Sequence, residues 1–136
     1  PLPVGLVEAL FALWNRDAEI EQLAAMDALG LMRQTGAVTS LTERHYFYRD
    51  EGKRALAGGA IEALARIGDA STIGIVSRLT ADSWSEGNDA TALAIAFARE
   101  RMLKDGSLTT IKQALDDASL RGQAIGYLAE LGVLVP

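Results

Sequence analysis

Residues 58 to 68 read GGAIEALARIG, and 64 residues later positions 122 to 132 read GQAIGYLAELG. Gly58, Ala60, Ile61, Leu64, Ala65 and Gly68 return as Gly122, Ala124, Ile125, Leu128, Ala129 and Gly132. Six identities in eleven positions, all at small or apolar residues, mark an internal repeat and restrict the chain to tandem units that stack. Because 64 is twice 32, one more copy fits between these two, near Thr91 in DATALAIAFA. Another lies upstream, where AMDALGLM at 25 to 32 aligns with AIEALARI at 60 to 67, setting Ala28 on Ala63 and Leu29 on Leu64. A spacing of 31 to 35 residues is too long for one helix and its turn, and suits two short helices joined by tight connections.

The first helix of two pairs shows in apolar residues at helical spacing, Ile73, Val76 and Leu79 in one and Leu108, Ile111 and Leu115 in the other. The expected helices run near 3 to 14, 18 to 33, 37 to 45, 50 to 67, 71 to 81, 88 to 103, 107 to 115 and 118 to 131. Asp69 or Ser71, and Ser107, are suited to accept free backbone N–H groups at first-helix starts, and Asp17, Asp50 and Asp117 at second-helix starts. No alternating run of β-branched residues persists, so no strand is expected. The expected fold is all-α, about four helix pairs at 1–34, 35–68, 69–104 and 105–136 within a single domain, 1–136.

Packing accounts for the residue choice. Glycine and alanine at 58 to 60, 63, 65, 122 and 124 let helix axes approach, and Ile61, Leu64, Ile67, Ile125, Leu128 and Leu131 fill the space between pairs. No single pair buries enough of them to offset its conformational entropy, so stability should come from one pair stacked on the next.

The stretch IGDASTIGIV, followed by Asp82, resembles the consensus of the HEAT-like repeats of phycobilin lyases and many other proteins, in which a Gly-Asp turn separates adjacent helix pairs. DDASLRGQAIGYLAELG is similar to that family's Asp-rich intra-repeat turn, its second-helix arginine, here Arg121, and its small-residue helix. The likeness covers most of the chain and is sharp in the second and fourth copies. Gln22 and Ala57 stand where the arginine is expected, and the third copy lacks the Gly-Asp turn. The resemblance implies an α-α superhelix, a HEAT/armadillo-like solenoid, whether whole or part of a longer one.

Thirteen Lys and Arg against eighteen Asp and Glu give a net charge of −5 and a pI near 4.8, which disfavours nucleic acid or an anionic membrane as the main partner. Without cysteine there is neither a disulfide framework nor a thiolate metal site, and a cytoplasmic location is expected. His45 is the only histidine, with no triad or metal-ligand spacing around it, and Asp116-Asp117 reads as a turn rather than an acid-base pair. No phosphate-loop or G-x-G-x-x-G motif follows a strand. Catalytic, cofactor-binding and metal-binding residues are therefore expected to be none.

Two surfaces are candidates for holding another protein or peptide. Trp14, His45, Tyr46, Tyr48 and Trp84 fall where first helices turn into second ones, which would gather them, beside Arg49, on a ridge. Phe47 and Trp14 are expected to plug the ends of helix pairs, and Tyr46 and Tyr48 to reach water. The second candidate is the curved face of the second helices, with Asp27, Glu62, Arg66 and Glu130 exposed. In LPVGLVEALFALW the sole ionisable residue is Glu8, which leaves open a homo-oligomer through the apolar helix 2–14. The expected function is a non-catalytic protein-interaction scaffold. The alternatives are a bilin-lyase-like or chaperone-like accessory protein, as the resemblance implies, and a nucleic-acid-binding HEAT-like module.

Overall fold

The computed structural model describes residues 3–133. Position 2 of the apolar first helix and positions 134–136 of the last repeat unit lie outside the described residues. Eight α-helices run in chain order: α1 Val4–Trp14, α2 Glu19–Leu31, α3 Val38–Asp50, α4 Arg54–Ile67, α5 Ala70–Leu79, α6 Ala90–Leu103, α7 Leu108–Gln113 and α8 Arg121–Glu130. Short 3-10 turns at Thr35–Ala37, Ser83–Ser85 and Ala114–Asp116 join them, and no strand occurs among the described residues. None of the described helices is long and apolar enough to cross a membrane.

Each consecutive pair, α1 with α2, α3 with α4, α5 with α6 and α7 with α8, is in contact, and the second helices touch in the order α2, α4, α6, α8. Small residues set the spacing between them. A Cβ on Gly30 of α2 would lie 2.8 Å from the Ala63 Cα of α4, and one on Gly58 of α4 would lie 2.7 Å from Thr91 Cγ2 of α6. Ile61, Leu64, Ala60 and Ala65 are fully buried there, so α4 forms the centre of the larger of two apolar clusters. The second cluster joins Phe97 of α6 to Ile111, Tyr127 and Leu128, with the Phe97 and Tyr127 rings stacked at 4.4 Å.

The two matched segments differ in environment, against expectation. Gly122 has nothing within 4 Å of where a Cβ would stand, and Ile125 is 45 % exposed although its counterpart Ile61 is fully buried. The face of α4 that carries Gly58 and Ile61 packs on α6, whereas none of the described elements packs on the same face of α8.

Helix starts also depart from the expected pattern. Asp50 is the last residue of α3 rather than a cap, and neither Asp17, Asp69, Ser71 nor Ser107 makes a side-chain capping bond to a helix. Asp117 instead accepts from Ser119 N and Oγ within a turn. Among the described helices Asp89 is the one N-cap residue whose own side chain caps, accepting from Ala92 N at 2.9 Å, and its paired Arg54 holds its pKa at about 2. Helix ends are more regular. Backbone in the left-handed region follows α2 at Arg33, α3 at Gly52, α4 at Gly68, α6 at Lys104 and α8 at Gly132.

Candidate functional site

The structure brings Trp14 to Tyr48 and His45 to Trp84, and buries Trp14, His45 and Tyr48 instead of presenting them on a surface ridge. Helix α3 continues to Asp50, so His45-Tyr46-Phe47-Tyr48 lies inside a helix and not in a connection. Val38, Leu41, His45 and Tyr48 then share one face, and the last three are buried against the core. Trp14 Nε1 donates to the Tyr48 hydroxyl at 3.0 Å, which gives each buried polar tip a partner. Tyr48 therefore does not reach solvent. Phe47, expected to plug a helix pair, is instead 45 % exposed with Arg44 over its ring.

His45 is fully buried, its ring 4.9 Å from that of Trp84, and its Nδ1 lies 3.0 Å from the Ala57 carbonyl. Since a carbonyl only accepts, Nδ1 carries the proton and Nε2 is left with a buried lone pair and no partner. Desolvation lowers the His45 pKa and keeps the ring neutral. Trp84 Nε1 donates to the Leu79 carbonyl, and Arg54 fixes the loop that carries Trp84 by donating to the carbonyls of Trp84 and Glu86 and to both oxygens of Asp89. Of the ridge residues, Tyr46, Trp84 and Arg49 remain half exposed, the Arg49 guanidinium lying 5.0 Å over the Tyr46 ring and bonded to Asp82 at 3.2 Å.

The inner face of the second helices gathers the other candidates more closely. Asp27 of α2, Glu62 and Arg66 of α4, and Glu130 of α8 form one network around Arg66. The guanidinium donates to Glu130 through Nε at 3.0 Å and Nη2 at 3.1 Å, and through Nη1 to Asp27 and Glu62. Asp27 and Glu130 are exposed as expected, whereas Arg66 and Glu62, 12 % and 18 % exposed at their side chains, are half-buried, and all four are tied to one another. Their spacing explains the meeting: Asp27 and Glu62 occupy matched positions 35 apart, and Arg66 and Glu130 matched positions 64 apart, so the repeat aims all four at one space.

Burial raises the Glu62 pKa, against the opposing pull of the Tyr127 hydroxyl that donates to it and of the Arg66 charge. Burial also opposes the charge on Arg66, but the bonds to Glu130 and the three surrounding carboxylates outweigh it and raise its pKa. Tyr127 is pushed upward by burial and by Glu62, so it stays a donor, and Gln123 donates to its hydroxyl oxygen at 3.0 Å.

These groups line an open cleft of about 490 Å³, floored by Leu23, Ala24, Gly59 and Gly126. A smaller hollow of about 110 Å³ adjoins it, lined by Gly30, Leu31, Arg33 and Arg101, and shares Arg66 and Glu130 with the cleft. Three carboxylates against one guanidinium make the cleft acidic, and three guanidiniums against one carboxylate make the hollow basic. Ile20, 82 % exposed, and Leu31, 57 % exposed, stand on the same face of α2 as Asp27. Leu23, Tyr127, Gln123, Arg33 and Arg101 were not among the sequence candidates. The signal for two of them was available, because Gln123, Tyr127 and Glu130 follow at helical intervals of four and three.

Among the described residues no group of three His, Cys, Asp or Glu side chains is placed to hold a metal ion. Comparison of the chain with protein-family models, with curated proteins and with solved structures gave no significant match to any of them.

Proposed function

We propose that this chain is a non-catalytic, HEAT-like helical-repeat module that holds a polypeptide segment along the inner face of α2, α4 and α8. In this reading the four pairs are turns of an α-α superhelix, and the consecutive contacts of the second helices support it. The observation that carries the function is the acidic cleft and the basic hollow set side by side, sharing Arg66 and Glu130, with Ile20 and Leu31 exposed beside them. A phosphate backbone presents one sign of charge and is repelled by Asp27, Glu62 and Glu130. A peptide carries both signs within one turn, with apolar side chains between. The fitting segment places a Lys or Arg in the cleft, an Asp or Glu toward Arg33 and Arg101, and an aliphatic residue on Ile20 or Leu31.

Fluorescence anisotropy with three labelled helical peptides of equal length tests this. One carries Leu, Lys and Glu at i, i+3 and i+4; the others replace all charges by Lys or all by Glu. The mixed peptide should bind tightest, weaken with salt, and lose affinity several-fold to the Asp27→Asn and Arg33→Gln variants. Equal binding of all three peptides, or stronger binding of a duplex DNA oligonucleotide, would end this reading.

A further inference from the structure

Two of the three junctions between second helices, α2–α4 and α4–α6, are built alike. On one side α4 sets Gly59 and Ala63 against α2, with Gly59 beside Leu23 and Met26 and Ala63 beside Gly30. On its other side it sets Gly58, Ile61 and Ala65 toward α6, where Gly58 meets Thr91 and the Ala65 carbonyl receives Arg101 Nε at 2.8 Å. Helix α4 therefore has a receiving face toward α2 and a giving face toward α6.

Helices α2 and α8 each present one such face that no described element covers. The giving face of α8, Gly122, Ile125 and Ala129, repeats Gly58, Ile61 and Ala65 residue for residue, and all three residues are exposed. The receiving face of α2 falls at Ala24 and Ala28, the positions matched to Gly59 and Ala63; Ala24 is exposed and Ala28 half-buried. Beside it α1 exposes Ala9 and Ala12, with Val4 at 72 % and Leu6 at 42 %. Among the described residues, four of the seven large apolar side chains that lie open to solvent are Val4, Leu6, Ile20 and Leu31 on the first pair, and a fifth is Ile125 on the last. Apolar surface is thus concentrated at the ends of the row.

We propose that a second copy of this chain covers these faces, the α8 giving face of one copy stacking on the α1–α2 receiving face of the next. One copy supplies both halves of a junction that the fold already uses twice, so the same packing continues without a new kind of contact. Such a contact is heterologous, so each copy that adds brings a further giving face and a further receiving face, and association proceeds by addition of copies. It borders the peptide cleft at Ala24, which lines both, and leaves Glu62, Arg66 and Tyr127 outside the contact.

Sedimentation velocity over a concentration series tests the proposal with two variants at exposed positions, Ile125→Arg to block the giving face and Ala24→Arg to block the receiving face. Circular dichroism melting of each verifies that it folds. The unaltered chain should sediment faster as concentration rises, and each variant alone should stay monomeric. An equimolar mixture should give a one-to-one heterodimer that grows no further, because each variant retains the face the other lacks. A Glu62→Gln variant should associate as the unaltered chain does. The proposal is overturned by a chain that stays monomeric up to about 1 mM, a concentration that captures even weak association, by either variant self-associating as well as the unaltered chain, or by a mixture that remains monomeric.

Discussion

Arg66 holds Glu130 by two nearly parallel hydrogen bonds, Nε at 3.0 Å and Nη2 at 3.1 Å, joining the matched positions of two repeat copies 64 residues apart. The same guanidinium also reaches Asp27 and Glu62, so one side chain ties α2, α4 and α8. Arg66→Met keeps the aliphatic stem and removes the charge. It leaves Glu62 buried without its cation and three carboxylates facing one another. The expected loss is about 2 to 4 kcal/mol at neutral pH, reduced from that of a fully buried pair because Asp27 and Glu130 keep contact with water. Burial already raises the Glu62 pKa, and removing Arg66 raises it further. A group raised in the folded state stabilises at low pH and loses that contribution as pH rises through its folded pKa. Urea unfolding should therefore show a smaller deficit for Arg66→Met at mildly acidic pH than at neutral pH. A deficit independent of pH would mean that the carboxylates are not what the arginine restrains.

His45 gives the opposite sign. Desolvation, with help from the nearby Arg49 charge, lowers its folded pKa below the ordinary 6.5, and the buried Nε2 has no acceptor to receive a second proton. The unfolded chain therefore binds a proton that the native state refuses. The stability this contributes is present above pH 6.5 and is lost as pH falls from there toward the folded pKa. The denaturant midpoint should fall on acidification through this window. In His45→Gln, which keeps a donor for the Ala57 carbonyl, that part of the slope should vanish even if the variant is less stable throughout. Parallel pH profiles for the two proteins would contradict a buried neutral imidazole.

Gly30 and Gly74 separate close packing from helix propensity. Glycine within a helix costs roughly 0.5 to 1 kcal/mol relative to alanine. At Gly74 in α5 nothing lies within 4 Å of an added Cβ, so Gly74→Ala should stabilise by about that amount. At Gly30 the added Cβ would meet the Ala63 Cα at 2.8 Å, a backbone atom that cannot rotate away. Gly30→Ala should instead destabilise by about 1 to 3 kcal/mol as α2 is forced from α4. Thermal unfolding of the two variants should shift in opposite directions.

The second helices were legible because their packing faces use apolar residues at helical intervals that recur from copy to copy. Ile61 and Leu64 declared α4 in this way, and Leu128 declared α8. Helix α3 was read short because its outer faces carry Thr42, Glu43, Arg44 and Phe47, and because its inner stripe passes from Leu41 to a histidine and a tyrosine. Val38, Leu41, His45 and Tyr48 nevertheless keep steps of three, four and three, and a count that admitted aromatic and imidazole rings as core residues would have carried the helix to its end. At the inner face the acidic residues and Arg66 were identified, but their mutual bonding was not. Exposure depends on which helices converge, and the approach of α8 to α4 is a tertiary fact that residue spacing within one helix does not contain. The free face of α8 was misjudged for the same reason, since Ile125 has the identity of a core residue but lacks the neighbour that covers Ile61.

Lys104 occupies the turn after α6 that Gly68 and Gly132 occupy after α4 and α8, with φ 50° and ψ 48°. Its N–H satisfies the carbonyls of Arg99 and Glu100, both at 3.1 Å, so the left-handed conformation is needed to close the helix. For a residue with a Cβ that conformation costs roughly 1 to 2 kcal/mol. Glycine removes the cost but gives back part of the gain through the greater freedom of the unfolded chain. Lys104 is exposed, so its side chain contributes little packing to lose. Lys104→Gly should therefore stabilise by about 0.5 to 1 kcal/mol, and Lys104→Ala, which keeps the Cβ, should not. The missing glycine of the third repeat thus becomes a measurable defect: a denaturant midpoint that rises for glycine and stays for alanine fixes the turn as the repeat boundary, and one that falls for both would show that the lysine side chain holds the junction instead.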